Sequence, residues 1–189
     1  MAIRDVVRMG TPSLFERSRE VSEFGTRELD ELIHDLWETM EDEGGIGIAA
    51  PQIGVNLRVV VFGREESLAD IPPTVLINPV ITPLGAQMDD GLEGCLSVPG
   101  MRGIVPRYRT IHYRGQDAAG KPFEREVSDY HARVVQHECD HLDGVLYPMR
   151  IPDLRKFSFT EEVEAALLNS DQPRTDCPPA EELEVELNR

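Results

Sequence analysis

The sequence predicts an α+β fold, with mixed or antiparallel strands packed around a central helix that carries an H-E-x-x-H motif. Three observations point there. Apolar residues recur at helical spacing in residues 27–40, a second helix is framed by capping residues at 128–129 and a glycine at 144, and the stretch between them reads as strands and turns. Strands dominate the middle of the chain and the helices stand apart from them, which sets the class as α+β.

In the first helix, Leu29, Leu32, Ile33, Leu36, Trp37 and Met40 fall at i, i+3, i+4, i+7, i+8 and i+11 and form one apolar face. Thr26 is placed to cap its start and Gly44-Gly45 to end it. Residues 45–54 form a glycine-punctuated loop. The valine-rich run 57–62 reads as a buried strand. Residues 75–81, interrupted by Pro79, read as an edge strand, because proline cannot donate to a ladder. Residues 107–114 and 122–127 flank Asp117-Ala-Ala-Gly-Lys121 as a hairpin. Ser128-Asp129 opens the second helix, and residues 159–168 make a third. Residues 1–169 are expected to form one catalytic domain, and residues 170–189 an acidic, mobile tail.

Composition narrows the function classes. The chain has 189 residues, 40% hydrophobic and 6% aromatic, an ordinary globular mixture. With 19 basic against 35 acidic residues its net charge is −16, which disfavours direct nucleic-acid binding through bulk electrostatics. No apolar run approaches a membrane span, and the first residues lack the apolar stretch of a signal peptide. Three cysteines without framework spacing read as thiols or metal ligands, so the expectation is a soluble protein of the cytoplasm, without a membrane partner.

The strongest chemical signal is His137-Glu-Cys-Asp-His141. Two histidines four residues apart on a helix project from one side and can grip a single metal ion. Glu138 lies about 100° around the helix axis from His137, near enough to reach water at that ion without becoming a ligand. A catalytic site needs a third protein ligand. Two choices are open: a downstream carboxylate (Glu161, Glu162 or Glu164), as in a thermolysin-like peptidase, or the thiolate of Cys95. Cys139 points well away from His137 and reads as core. The loop Gly45-Ile-Gly-Ile-Ala-Ala50 also fits a dinucleotide fingerprint, but it follows a helix and leads to a strand, the reverse of the required order.

Three motifs in fixed order now stand together: Gly45-Ile-Gly-Ile-Ala-Ala-Pro-Gln52, Glu93-Gly-Cys-Leu-Ser97 and Gln136-His-Glu-Cys-Asp-His141. In these the chain resembles the peptide deformylase family, from about Ile3 to the third helix. The resemblance implies that Cys95, His137 and His141 bind the metal, that Glu138 is the catalytic acid/base, and that Gln52 and the Leu96 amide face the oxyanion. It implies ferrous iron (Fe2+), with zinc (Zn2+) or nickel (Ni2+) as substitutes, and N-formylmethionyl nascent peptides as substrates. Ile46 and Gly47 would meet the peptide backbone, while Ile46 and Val134 line the methionine pocket. Tyr130 and Arg133 depart from the pattern, standing where many relatives carry apolar pocket residues. Some relatives contact the ribosome through a basic C-terminal helix. Here residues 161–189 hold nine acidic residues against two basic ones, so any ribosome contact is expected to use another route.

Overall fold

A computed structural model describes residues 3–64 and 71–168 of the chain; the segment 170–189 and Cys177, read above as an acidic tail, lie outside the described residues. Three helices, α1 (Arg27–Asp42), α2 (Asp129–Leu142) and α3 (Thr160–Leu168), accompany eight strands. Strands β1 (Gly47–Ala49), β2 (Val59–Phe62), β3 (Thr74–Pro83), β6 (Thr110–Gln116) and β7 (Pro122–Ser128) form one antiparallel sheet in the order β1-β2-β3-β6-β7. Strands β4 (Met88–Cys95), β5 (Val98–Tyr108) and β8 (Phe157–Phe159) form a second, in the order β4-β5-β8. The expected α+β architecture is present, with α2 lying against both sheets.

The valine run explains how the larger sheet is held. Side chains alternate across a strand, so Val59 and Val61 enter one core with Leu29, Leu32, Ile33 and Leu36 of α1, while Val60 and Phe62 enter another with Ala132, Val135 and Leu142 of α2. A strand covered on both faces has no polar side to show, and all four residues of β2 are buried.

Both long helices end as their sequence indicates. Thr26 accepts from the Leu29 amide at 3.2 Å, and Gly44, in the left-handed region at φ 70°, closes α1 with Gly44 and Gly45 donating back to Glu41 and Met40. Gly144 (φ 71°) ends α2 in the same way, with Gly144 and Val145 donating to His141 and Asp140. Arg58, buried, adds a cation there and donates to the Leu142 carbonyl and to Asp143.

Four local expectations need correction. The segment read as an edge strand is β3, the middle strand of five; Asn78 at φ 50° and Pro79 sit in a bulge between Ile77 and Val80 that removes proline from the ladder, and the Asn78 side chain bonds the Val21 backbone instead. Residues 107–114 are two strands in different sheets, parting at Arg109. Ser128 does not cap α2: its hydroxyl pairs with Thr110, and Asp129 stands at φ 57° with its carboxylate on Arg109. Residues 45–54 are not wholly loop, since they contain β1 and a short 3-10 turn at Ala50–Ile53.

Candidate active site

The helical pair and the thiol meet. His137 and His141 project from α2, Cys95 ends β4, and the ligand-capable atoms of all three lie within 4.8 Å of one another, with Cys95 Sγ 3.3 Å from His141 Nε2. Tetrahedral metal–nitrogen bonds of about 2.0–2.1 Å and metal–sulfur bonds of about 2.3 Å demand donor separations of this order. Electrostatics agree with a cation here. Burial lowers the His137 pKa, but Cys95 and Glu93 outweigh it and raise it well above the ordinary imidazole value. His141 is pushed well below its usual value by burial and by His137 and Arg107, leaving the neutral ring a metal needs. The residues present therefore fit a metal ion. Glu161, Glu162 and Glu164 belong to no such group among the described residues, although Glu161 and Glu164 reach the mouth of the same cleft.

Glu93 organises this centre. It is buried, and each carboxylate oxygen accepts two bonds: Oε1 from Arg107 Nε (2.9 Å) and Arg133 Nη1 (2.8 Å), Oε2 from Arg107 Nη2 (2.9 Å) and His137 Nδ1 (2.9 Å). Burial pushes its carboxyl up, yet the bonds from Arg107 and His137 hold it well below the usual carboxylate range. An ionised Glu93 accepts the His137 Nδ1 proton and leaves Nε2 as the ring nitrogen that would bind a metal once its own proton is displaced. Tyr147 stacks on the His137 ring at 6.0 Å between centroids and anchors its own hydroxyl on the Met101 carbonyl at 2.9 Å. Arg107 also binds Asp140, which takes Arg150 with both oxygens. Gln136 donates to the Tyr108 carbonyl (2.8 Å) and accepts from its amide (3.1 Å), tying α2 to the point where the chain leaves one sheet for the other.

Beside the trio lies Glu138, 4% exposed, with Oε2 bonded to nothing among the described residues. Gly47 passes directly beneath it: a Cβ there would stand 2.5 Å from Oε1. Gln52, from the 3-10 turn, accepts from the Ala49 amide at 2.9 Å, which turns its NH2 toward Ser97 Oγ (3.2 Å) and Cys95 Sγ (3.5 Å). Leu96 follows Cys95 at the tip of the β4–β5 hairpin. Ile46, Gly47, Gln52, Cys95, Leu96, Val134, His137 and Glu138 all line one cleft of about 570 Å³. Strand β1 pairs with β2 along one side only, and Gly45, Ile46 and Gly47 present the other side to the cleft.

The residues assigned to metal, catalysis and peptide thus reach one place; Glu162 does not line the cleft, and Cys139 is buried in the core of α2 as expected. Sequence reasoning missed the residues that hold the others. Glu93 stood in a quoted motif beside Cys95, a signal that was available. Arg107 and Tyr147 gave none, and Arg133 was visible only as a departure from an apolar pattern.

An H-E-x-x-H helix whose imidazoles converge with a strand thiol, beside a buried carboxylate in an open cleft, defines the class: a metallohydrolase. Its family follows from comparison with known proteins. Residues 3–157 match the polypeptide deformylase family, and the chain belongs to it. Peptide deformylase 1 of Nitrosomonas europaea is 57% identical over 164 residues, covering 84% of this chain and 93% of that protein. The crystal structure of peptide deformylase from Thermotoga maritima superposes with a TM-score of 0.75 at 34% identity, over 81% of this chain and 100% of the other. A Met-Ala-Ser-bound crystal structure of class I type b peptide deformylase from Acinetobacter baumannii gives 0.74 at 33% identity, over 79% and 100%. Peptide deformylases are metalloenzymes that remove the N-formyl group from nascent polypeptides, and this chain has a group able to hold a metal in Cys95, His137 and His141. No helix among the described residues is long and apolar enough to cross a membrane.

Proposed function

We propose that this chain hydrolyses the N-formyl group of formyl-methionyl polypeptides with a metal ion held by Cys95, His137 and His141, Glu138 as acid/base, and Gln52 and the Leu96 amide facing the oxyanion. The observation that carries this reading is the meeting of a strand thiol with two helical imidazoles next to a buried carboxylate that has an oxygen to spare. When bound, the metal supplies Lewis acidity, which makes water a competent nucleophile near neutral pH. The rest is the work of side chains. Burial pushes the Glu138 carboxyl up to about 7, so it can both take and return a proton near neutrality. It takes the proton from the attacking water as oxygen bonds to the formyl carbon. Gln52, its carbonyl tied to Ala49, offers an amide donor already aimed at the negative charge that grows on the formyl oxygen, and the Leu96 N–H gives a second. Glu138 then returns the proton to the leaving nitrogen, giving formate and a free amine.

The peptide lies along the open side of β1 at Ile46 and Gly47 as an added strand, a mode that reads backbone and tolerates many sequences. Ile46 and Val134 wall the pocket for its first side chain. The Met-Ala-Ser-bound relative supports a tripeptide in this cleft. Ferrous iron is the ion proposed; zinc and nickel suit the same sulfur and nitrogen donors and bind such sites more tightly in general. Residues 1–169 are the catalytic unit and 170–189 an appended acidic segment. The cytoplasm, where nascent chains emerge, is the compartment proposed. Any approach to the ribosome is proposed to avoid the C-terminal segment, because α3 begins with Glu161 and Glu162 and residues 161–189 are acidic on balance.

The test is formate release from formyl-Met-Ala-Ser, set against acetyl-Met-Ala-Ser and an internal amide. Formate from the first substrate alone is expected. Glu138→Ala should keep its metal and lose turnover by about 10²–10⁴-fold, the usual worth of a positioned acid/base. Equal cleavage of internal amides, or near-normal turnover by the metallated variant, would overturn the assignment.

A further inference from the structure

We propose that Arg133, seated in space left empty by Gly91, is a positioning residue that holds Glu93, and through it the His137 ring, from the peptide-cleft side. The proposal rests on the reading of His137 as a metal ligand. It begins with two periodicities. Arg133 and His137 are i and i+4 on α2 and share a face; Asp89, Gly91 and Glu93 are i, i+2 and i+4 on β4 and share a face. The two faces meet. Arg133 Nη1 donates to Glu93 Oε1 and to the Val105 carbonyl, both at 2.8 Å, and Nη2 donates to the Asp89 carbonyl at 2.7 Å. One guanidinium therefore links α2 to both strands of the β4–β5 hairpin and to the carboxylate that orients His137.

That seat exists only because residue 91 has no side chain. A Cβ on Gly91 would lie 2.5 Å from Arg133 Cζ, 2.6 Å from Nη2 and 2.7 Å from Nε, distances that real Cβ atoms do not reach. Arg133 also lines the cleft between Leu92, Tyr130 and Val134. The wall of the side-chain pocket and the support of the metal centre are thus a single rigid fork. Planar and five-donor, the fork cannot be replaced in kind by the point charge of lysine. Loss of its bond leaves Oε1 with Arg107 alone and frees Glu93 to tilt away from His137.

The experiment uses the nickel-loaded full chain and two readouts: release of nickel to excess chelator, and kcat and KM on formyl-Met-Ala-Ser. Arg133→Met keeps an unbranched stem without donors. It should release nickel about 10-fold faster, the lower end for outer partners of a metal ligand, with kcat lowered and KM moved less than about two-fold. Arg133→Lys should recover part of the retention. Gly91→Ala should reproduce the fast release, and Gly91→Ala/Arg133→Met should be no worse than Arg133→Met, because the group that the Cβ struck is gone. Release at the wild-type rate in both single variants, or additive losses in the double, overturns the proposal. So does a fall in melting temperature of the metal-free variants with unchanged release from the loaded ones, which is the mark of packing alone. Nickel release is read without turnover, so a wild-type chain that holds nickel but frees no formate refutes the deformylase reading and leaves this one standing.

Discussion

At Gly47 the backbone runs so near Glu138 that a Cβ would lie 2.5 Å from Oε1 and 2.8 Å from both Cγ and Cδ. The φ of Gly47 is not in the left-handed region, so it is the closeness of Glu138, and not the backbone conformation, that excludes a side chain here. Gly47→Ala should therefore act on the carboxylate, swinging it from its place. Displacement of a reacting group by about 1 Å can cost on the order of 10²-fold in rate. We expect kcat for formyl-Met-Ala-Ser to fall by about that factor while nickel release stays at the wild-type rate, because the three atoms nearest to the added Cβ all belong to Glu138. Unchanged kcat would show that Glu138 tolerates the shift. The residues with their own chemistry were legible in the sequence for a simple reason: spacing along one helix, and a rare side chain between glycines, are local signals. The supports were not. Glu93 is bound by residues 14, 40 and 44 positions away, and no local pattern encodes such pairings.

Among the elements, legibility followed the strength of the period. α1, with an unbroken apolar stripe and a threonine cap, lies where the spacing places it. Strand β4 gave no signal because Asp89, Asp90, Gly91 and Gly94 are poor strand formers, and of β5 only its end at 107–108 was read as strand; pairing with a long neighbour overrides the preference in β4. Gly91 and Gly94 are there for a different purpose, leaving room for Arg133 and Arg102. Pro79 misled because a bulge, which sequence does not announce, frees its position from the ladder. The placing of α2 depends on Gln136, one residue before the first histidine, gripping the Tyr108 backbone at both its amide and its carbonyl. Gln136→Leu removes both partners at once. It should lower the stability of the metal-free chain by about 1–3 kcal/mol, as expected for partly buried backbone groups left unpaired. Urea unfolding with an unchanged slope is the measurement, and a loss below about 0.5 kcal/mol would mean that the surrounding core alone holds α2 in place.

At the scale of the whole molecule, the five-stranded sheet has a core on each face, the three-stranded sheet packs on a third, and the second of these cores also holds the underside of the metal-bearing helix. His131 sits on that underside. Its ring meets Phe62 edge-on at 5.9 Å and Tyr113 at 6.2 Å, and its Nε2 is buried without a hydrogen-bond partner among the described residues. Burial, and then the charge of Arg125, lower its pKa below the ordinary 6.5. The sign follows from linkage. Below about 6.5 the unfolded chain binds a proton that the folded chain still refuses, so this contribution to stability is complete above 6.5 and is lost as pH falls toward the folded pKa. Other groups titrate in the same interval, His137 in the opposite sense because its folded pKa is raised. A difference between two chains removes them. Unfolding midpoints of the metal-free wild type and of His131→Phe, compared from pH 8 to pH 5, should run parallel above about 6.5 and diverge below it, with the wild type losing more. Parallel curves throughout would place the His131 pKa at its unfolded value, and the orphaned Nε2 would then have a partner in solution, such as water, that accepts its proton when the ring is charged.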